Sequence, residues 1–207
     1  MHSFIVFTIG HSTRSFETFI RLLRAHRIQR VLDVRKIPKS RHNPQFSRER
    51  LSPALHRARI HYRHLPGLGG LRHARRDSPN TGWTNISFRG YADYMQTPEF
   101  EKNLERCIEL AKRERTVLMC AEAVPWRCHR SLIADALMAK GIRVKEITSR
   151  LRARDHVLPP WARVKGTHVT YQAPSEIGQQ PDQQAGLRKR RTRGAERVPR
   201  GTPGSND

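Results

Sequence analysis

Three short apolar runs limit what this chain can fold into: Ile5-Val6-Phe7-Thr8-Ile9, Arg30-Val31-Leu32-Asp33-Val34 and Thr116 to Ala121. They are rich in β-branched and aromatic residues and too short for helices. Near-continuous apolar runs of this kind read as strands covered on both faces. Between them lie stretches of helical periodicity. Phe16, Phe19, Ile20 and Leu23 recur on one helix face, behind Ser12 and Ser15, either of which can act as N-cap. Residues 47–58, Phe88 to Met95, Phe100 to Arg113 and Cys128 to Lys140 also read as helices; Pro53 suggests a kink or a fresh start, and Gly141 a stop. Ile60-His61-Tyr62 is a short strand and Arg143 to Ile147 a closing one. Strands alternating with helices predict an α/β fold of three layers, a mainly parallel sheet with helices on both faces.

Residues 1–150 form this α/β domain, followed by a docked extension over 151–173 built on Trp161, Val164, Val169 and Tyr171. From Pro174 the chain is rich in Gln, Pro, Gly and Arg. Such a composition buries too little apolar surface to offset its ordering entropy, so 174–207 reads as a disordered basic tail carrying Arg188-Lys189-Arg190-Arg191. No run of 18 apolar residues is present, so no membrane span is expected. Met1 to Phe7 lacks the features of a secretory leader, and an odd count of 3 cysteines argues against a disulfide scaffold. A reducing cytoplasm is the expected setting.

The formal net charge is +22. Residues 1–150 carry 29 basic and 13 acidic side chains, and 151–207 carry 11 and 5, so the folded part is basic by itself. That balance attracts anionic small molecules or nucleic acid. The 32 arginines against 8 lysines also fit a plain bias of genomic base composition.

The richest chemistry lies in Val117-Leu118-Met119-Cys120-Ala121-Glu122-Ala123-Val124-Pro125-Trp126-Arg127-Cys128-His129-Arg130. It reads as strand, tight loop and helix start. Ligands of open parallel sheets sit beyond the carboxyl ends of the strands. Three such ends deliver His11 and Ser12, Asp33 and Arg35, and Cys120 and Glu122. If the strands are neighbours, these residues converge on one crevice. The helix N-terminus, with Arg127, His129 and Arg130, favours an anion and lowers the pKa of a thiol. Cys120 is then a candidate nucleophile and Glu122 a general acid or base, although a buried free cysteine is often mere packing. Asp33 either orients a substrate or partner, or pairs with Arg35.

Cys120, Cys128, His129 and His11 include metal-ligating types, but Cys-x7-Cys-His is not a standard zinc spacing, and no metal is expected. Arg89 and Tyr91, in Arg-Gly-Tyr-x-x-Tyr, suit a phosphate or a base; they equally suit an aromatic helix face on the sheet. Leu68-Gly69-Gly70-Leu71 is a close-approach turn inside the long Pro66–Asn85 loop, of a length usually functional or mobile. It lacks the Lys-Ser/Thr of a phosphate loop, and no Gly-x-Gly-x-x-Gly follows a strand. No motif names a cofactor or an oligomeric state. Cys107 sits on a helix face and reads as packing.

The ordered motifs Thr8-Ile9-Gly10-His11-Ser12, Leu32-Asp33-Val34-Arg35, Phe46, Leu68-Gly69-Gly70, Phe88-Arg89-Gly90-Tyr91-Ala92-Asp93-Tyr94-Met95 and Leu118-Met119-Cys120-Ala121-Glu122 with Pro125 and Cys128-His129-Arg130 resemble the DUF488 family. The likeness spans roughly residues 4–150 and implies a compact α/β domain without implying an activity. A weaker architectural likeness is to rhodaneses, where an Asp-Val-Arg follows an early strand and a persulfide-carrying cysteine, matching Cys120, ends a later one. The rhodanese loop is usually shorter and lacks Pro125 and Cys128-His129.

Together these readings lead to an intracellular enzyme, a cysteine-dependent transferase or hydrolase, acting on an anionic nucleotide-like or nucleic-acid-like substrate. Cys120, Glu122, His11 and Asp33 form its catalytic set. Ser12, Arg35, Arg89, Tyr91, Arg127, Cys128, His129 and Arg130 form its binding set. The alternatives are a non-catalytic nucleic-acid-binding protein and a rhodanese-like sulfurtransferase.

Overall fold

The computed structural model describes residues 4–173 of the chain, so the predicted basic tail lies outside the described residues. Strands β1 (Ile5–Gly10), β2 (Arg30–Asp33), β3 (His61–His64), β4 (Thr116–Cys120), β5 (Arg143–Ile147) and β6 (Ala153–Asp155) form one sheet in the order β3-β2-β4-β1-β5-β6. The first five run parallel; β6 joins antiparallel at the edge. The predicted closing strand β5 is therefore not the edge. A separate hairpin pairs β7 (Ala162–Lys165) with β8 (His168–Tyr171).

Side-chain alternation divides the core in two. Phe7, Ile9, Val31, Val117 and Met119 face helices α1 (Phe16–Ala25) and α2 (Arg48–Arg57), packing on Phe19, Leu23, Phe46, Leu51 and Leu55. Val6, Leu32, Val34, Leu118 and Cys120 face the other way. Their partners lie on α3 (Ile86–Tyr94), α4 (Pro98–Arg113) and α5 (Arg130–Ala139). The fold is thus the three-layer α/β arrangement that the strand pattern predicts. Ser15 caps α1 by accepting from the Thr18 N–H, and Thr97 caps α4 by accepting from that of Phe100. Pro53 lies inside α2 without restarting it. Gly141 leaves α5 at a φ of +76°, the left-handed region open to glycine.

The 66–85 loop is held by polar groups. Asp93, on α3, accepts from Ser78 Oγ, from Asn80 Nδ2 at 2.8 Å and from the Arg75 N–H at 2.8 Å. Asn80 in turn accepts the Tyr171 N–H at 3.0 Å, which links the loop to β8. Val169 and Tyr171 are buried in the α3–α5 core.

His156, just after β6, is clamped between two carboxylates. Nε2 meets Asp135 of α5 at 2.6 Å and Nδ1 meets Glu146 of β5 at 2.9 Å. Asp135 also accepts from Tyr171 Oη at 2.6 Å. Burial opposes the imidazolium, but the hydrogen bonds and charges of Asp135 and Glu146 outweigh it and lift the pKa from 6.5 to about 9. A folded value above the unfolded one stabilises the fold fully below about pH 6.5, and that contribution is lost as pH rises through about 9. Melting temperature is therefore expected to fall between these limits in the wild type. His156→Gln should flatten that fall, with a difference on the order of 2 kcal/mol at its lower end. Parallel melting profiles of the two proteins would contradict the clamp.

Candidate functional site

The strand ends meet because of one close approach. Gly10 pairs with Cys120, and its backbone lies so close to the Glu122 carbonyl that no side-chain carbon fits there. The His11 N–H donates to the Cys120 carbonyl at 2.9 Å and the Ser12 N–H to that of Ala121 at 2.8 Å. Ser12 adopts a φ of 52°, a left-handed conformation that a non-glycine residue takes at a cost. Two guanidiniums complete the turn. Buried Arg130 donates from Nη1 to the Glu122 carbonyl and from Nη2 to that of Ala123 at 3.0 Å. Arg14 donates to the Gly10 carbonyl. Its pKa is lowered, by burial first and by the charge of Arg130 second.

This loop carries a short 3-10 turn, Pro125–Arg127, that delivers Cys128 to Cys120. The sulfurs of Cys120 and Cys128 and a ring nitrogen of His129 all lie within 4.8 Å of one another. His129 Nε2 lies 2.9 Å from the Val34 carbonyl. A carbonyl only accepts, so Nε2 donates to it, and Nδ1 on the other side of the ring faces Cys128 Sγ at 4.0 Å. Gly70 makes room for the ring: a Cβ there would stand 3.0 Å from Nδ1. Gly69 likewise presses on Lys36, where a Cβ would lie 2.7 Å from Cα. The Gly-Gly turn is thus a close-approach element.

The two thiols share one charge unequally. A hydrogen bond from Cys120 holds the Cys128 thiol well below its ordinary value against burial, with further help from His129 and Arg130. The same bond, with burial, pushes Cys120 up. That balance favours the thiolate on Cys128, with Cys120 beside it as the protonated partner. Sequence reasoning singles out Cys120 as the candidate nucleophile and puts Cys128 in the binding set. Distance along the chain hides the 3-10 turn that brings Cys128 back. Cys107 is wholly buried in α4, its thiol pushed up to about 12 by burial, in keeping with packing.

The expected single crevice is split. His11, Asp33 and Arg35 lie on the α1–α2 side of the sheet, and the cysteines lie on the other. Asp33 is fully buried and all its acceptor sites are filled: Arg35 Nε at 2.8 Å, Arg35 Nη2 at 2.6 Å, the Arg35 N–H at 3.1 Å and Tyr62 Oη at 2.8 Å. Arg35 also donates to the Phe46 carbonyl at 2.8 Å, and His64 Nε2 contacts the Arg35 carbonyl at 2.9 Å. His11 stacks on Phe46 at 4.2 Å and lies 3.3 Å from Arg35 Nη1. Burial, with the Arg35 charge, lowers its pKa to about 4, so the ring is neutral at neutral pH. The sequence alternative in which Asp33 pairs with Arg35 is the geometry found.

The remaining predicted residues divide further. Tyr91 is buried beside His129, ring centroids 5.1 Å apart, and its hydroxyl donates to the Leu68 carbonyl at 2.8 Å. Arg89 Nε donates to the Trp83 carbonyl at 3.0 Å. Both serve the helix-packing reading of their segment. Glu122 and Arg127 are exposed on the loop. Arg14, Phe46 and Tyr62 escaped sequence reasoning as site residues. Phe46 stands among the family motifs, while Arg14 and Tyr62 carry no local signal.

The family described as domain of unknown function DUF488 matches residues 15–137, more than half of the chain. The chain belongs to the DUF488 family. No curated protein and no solved structure matches it. In this DUF488 protein the matched region takes in β2, β4, both site cysteines and most of α5.

Removing the Asp33 carboxylate would leave Arg35 charged and buried without its partner, a defect that costs about 3–5 kcal/mol. Asp33→Ala is expected to lower the urea midpoint accordingly, and Tyr62→Phe by about 1 kcal/mol or less. An Asp33→Ala protein as stable as the wild type would contradict this assignment.

Proposed function

We propose that this DUF488 protein is a thiolate-dependent enzyme acting on an anionic, nucleotide-like substrate at the end of β4. Cys128 is its nucleophile and Cys120 the hydrogen-bond donor that keeps it ionised. The exposed Glu122 carboxylate carries protons at the loop. Arg127 meets the anion from solvent. Arg14 and Arg130 supply positive field, and their mutual repulsion is relieved when an anion sits near them. Ser12 lies at the same turn. His11, Asp33 and Arg35 are positioning residues that brace the strand ends, and Tyr91 seats the His129 ring.

The observation that carries this reading is the clustering of the Cys120 and Cys128 sulfurs with a His129 nitrogen, all within 4.8 Å, beside buried Arg130. A depressed thiol beside a raised one, with an arginine and a histidine at hand, is the arrangement that makes a nucleophile at neutral pH. Perturbed ionisation of this kind concentrates at functional sites. The strongly basic chain adds an attraction for anionic substrates.

One observation favours a second reading. Cys120, Cys128 and His129 offer three donors within 4.8 Å, and His129 is oriented by a backbone carbonyl as metal-bound histidines are. Two sulfurs and a nitrogen suit zinc with one position open. Stoichiometric zinc in the purified protein, released only when the cysteines are alkylated, would establish that reading over the nucleophile.

Alkylation by iodoacetamide tests the first reading. At about pH 6 an ordinary thiol is almost entirely protonated. The wild type is expected to label there at one site, Cys128. Cys128→Ser should abolish the low-pH reaction. Cys120→Ser should shift it upward by about one pH unit or more, since the main stabilising hydrogen bond is gone. Labelling that follows a free-thiol profile in all three proteins would sink the nucleophile.

A further inference from the structure

The chain has three tryptophans, and all of them line one cavity. Trp83, Trp126 and Trp161 wall a space of about 400 Å³ together with Pro125, Val157 and Pro159, and the polar floor is Asp135, Glu146 and His156. Its volume falls in the range of small-molecule sites, as does its make-up of apolar walls with a few polar groups. Trp83 and Trp161 pack edge to face at 5.6 Å and form a fixed corner. Trp126 is 70% exposed and Val157 77% exposed, both at the cavity. Indole left in water beside a concave apolar wall gains by being covered.

The polar floor discriminates between ligands. An aromatic pocket lined by carboxylates would suit an organic cation if those charges were free. Here they are not. Asp135 is bound to His156 and Tyr171, and Glu146 Oε1 to His156. Asp155 pairs with Arg143 and Lys145, and Arg154 adds a further positive charge to the lining. Among the described residues, Glu146 Oε2 accepts no hydrogen bond and remains available to one N–H. A neutral, flat ring that carries an N–H donor fits this surface, and a cation does not.

The cavity adjoins the cysteine site along the chain. Pro125 and Trp126 belong to the 3-10 turn that ends at Cys128, and Ser131 and Asp135 lie on the helix that starts just after it. We infer that the Trp83–Trp126–Trp161 cavity binds the base ring of a nucleotide, stacked on Trp126, with its phosphate turned to the Arg127 side of the loop. The inference rests on the anionic-substrate reading of the cysteine site and names its substrate class. Bases of every kind have a face to stack, and one such contact on an aromatic side chain is a substantial part of binding.

Intrinsic fluorescence reports directly on this cavity, because every tryptophan in the chain faces it. The full-length protein is titrated with AMP and GMP, with ribose 5-phosphate and tetramethylammonium as controls. Both nucleotides should quench the emission at saturable concentrations. Ribose 5-phosphate should bind at least about tenfold more weakly, and tetramethylammonium should not bind. By calorimetry, Trp126→Ala should weaken nucleotide binding about tenfold or more, and Trp126→Phe should restore most of it. A short single-stranded oligonucleotide with the same dependence on Trp126 identifies a strand as the source of the base; its failure beside bound AMP identifies a free nucleotide. Failure of both nucleotides to bind at millimolar levels overturns the inference, as does equal binding by Trp126→Ala, by ribose 5-phosphate or preferentially by the cation. The measurements are repeated in Cys128→Ser. Intact binding there, together with ordinary Cys128 alkylation in the wild type, defeats the nucleophile and spares the cavity. Absent nucleotide binding in the wild type, beside an intact low-pH thiolate, defeats the cavity and spares the nucleophile.

Discussion

The contact between Gly10 and the Glu122 carbonyl is the constraint on which the site depends. Because Gly10 has no Cβ, the chain leaving β4 folds back across the end of β1. Arg130 fastens that return by holding the Glu122 and Ala123 carbonyls, so the residue that opens α5 also ties down the loop before it. The loop then spans only a 3-10 turn before reaching Cys128. A side chain at Gly10 would collide with the Glu122 carbonyl, so the strand or the loop would have to shift. The closeness of the two sulfurs is thus a consequence of backbone packing between two parallel strands.

The two faces of the sheet divide the labour. On the α1–α2 side, Asp33, Arg35, His11 and Phe46 form a closed set in which the ion pair is buried and satisfied. A buried pair of this sort contributes little net stability, but it fixes geometry, since breaking it is costly. It holds the end of β2, whose Val34 carbonyl orients His129 on the opposite face. The bracing on one side thereby helps to orient the ring on the other. The His156 clamp plays a comparable part farther along the sheet, where it binds α5, β5 and β8 around one imidazolium.

Much of the architecture was legible in the sequence. The apolar runs of β1, β2 and β4 declared themselves because parallel strands are covered on both sides. The cap at Ser15, one of two candidates, and the stop at Gly141 followed from local chemistry. The clustering of Cys120, Cys128, His129 and Arg130 was legible as a place but not as a division of roles. Which thiol carries the charge depends on a hydrogen bond across the Pro125–Arg127 turn, and no spacing rule encodes that. The split of His11 and Asp33 from the cysteines follows from strand parity, which becomes readable only once each strand's end is known to the residue. The edge strand β6 is 3 residues long and mostly exposed, so it carries no apolar signal. The tryptophan cavity joins residues 83, 126 and 161, far apart in sequence and united only by the docking of the β7–β8 hairpin.

At the centre stands a single claim about charge: within the cysteine pair, Cys128 holds the negative charge and Cys120 keeps its proton. Carbon-13 NMR of protein labelled at the cysteine Cβ reads each thiol separately, whether or not a reagent can reach it. The account predicts that the Cys128 resonance titrates well below the ordinary thiol range while those of Cys120 and Cys107 stay in their protonated positions through neutral pH. A Cys128 resonance that moves only in the ordinary range, or a Cys120 resonance that moves first, would contradict it.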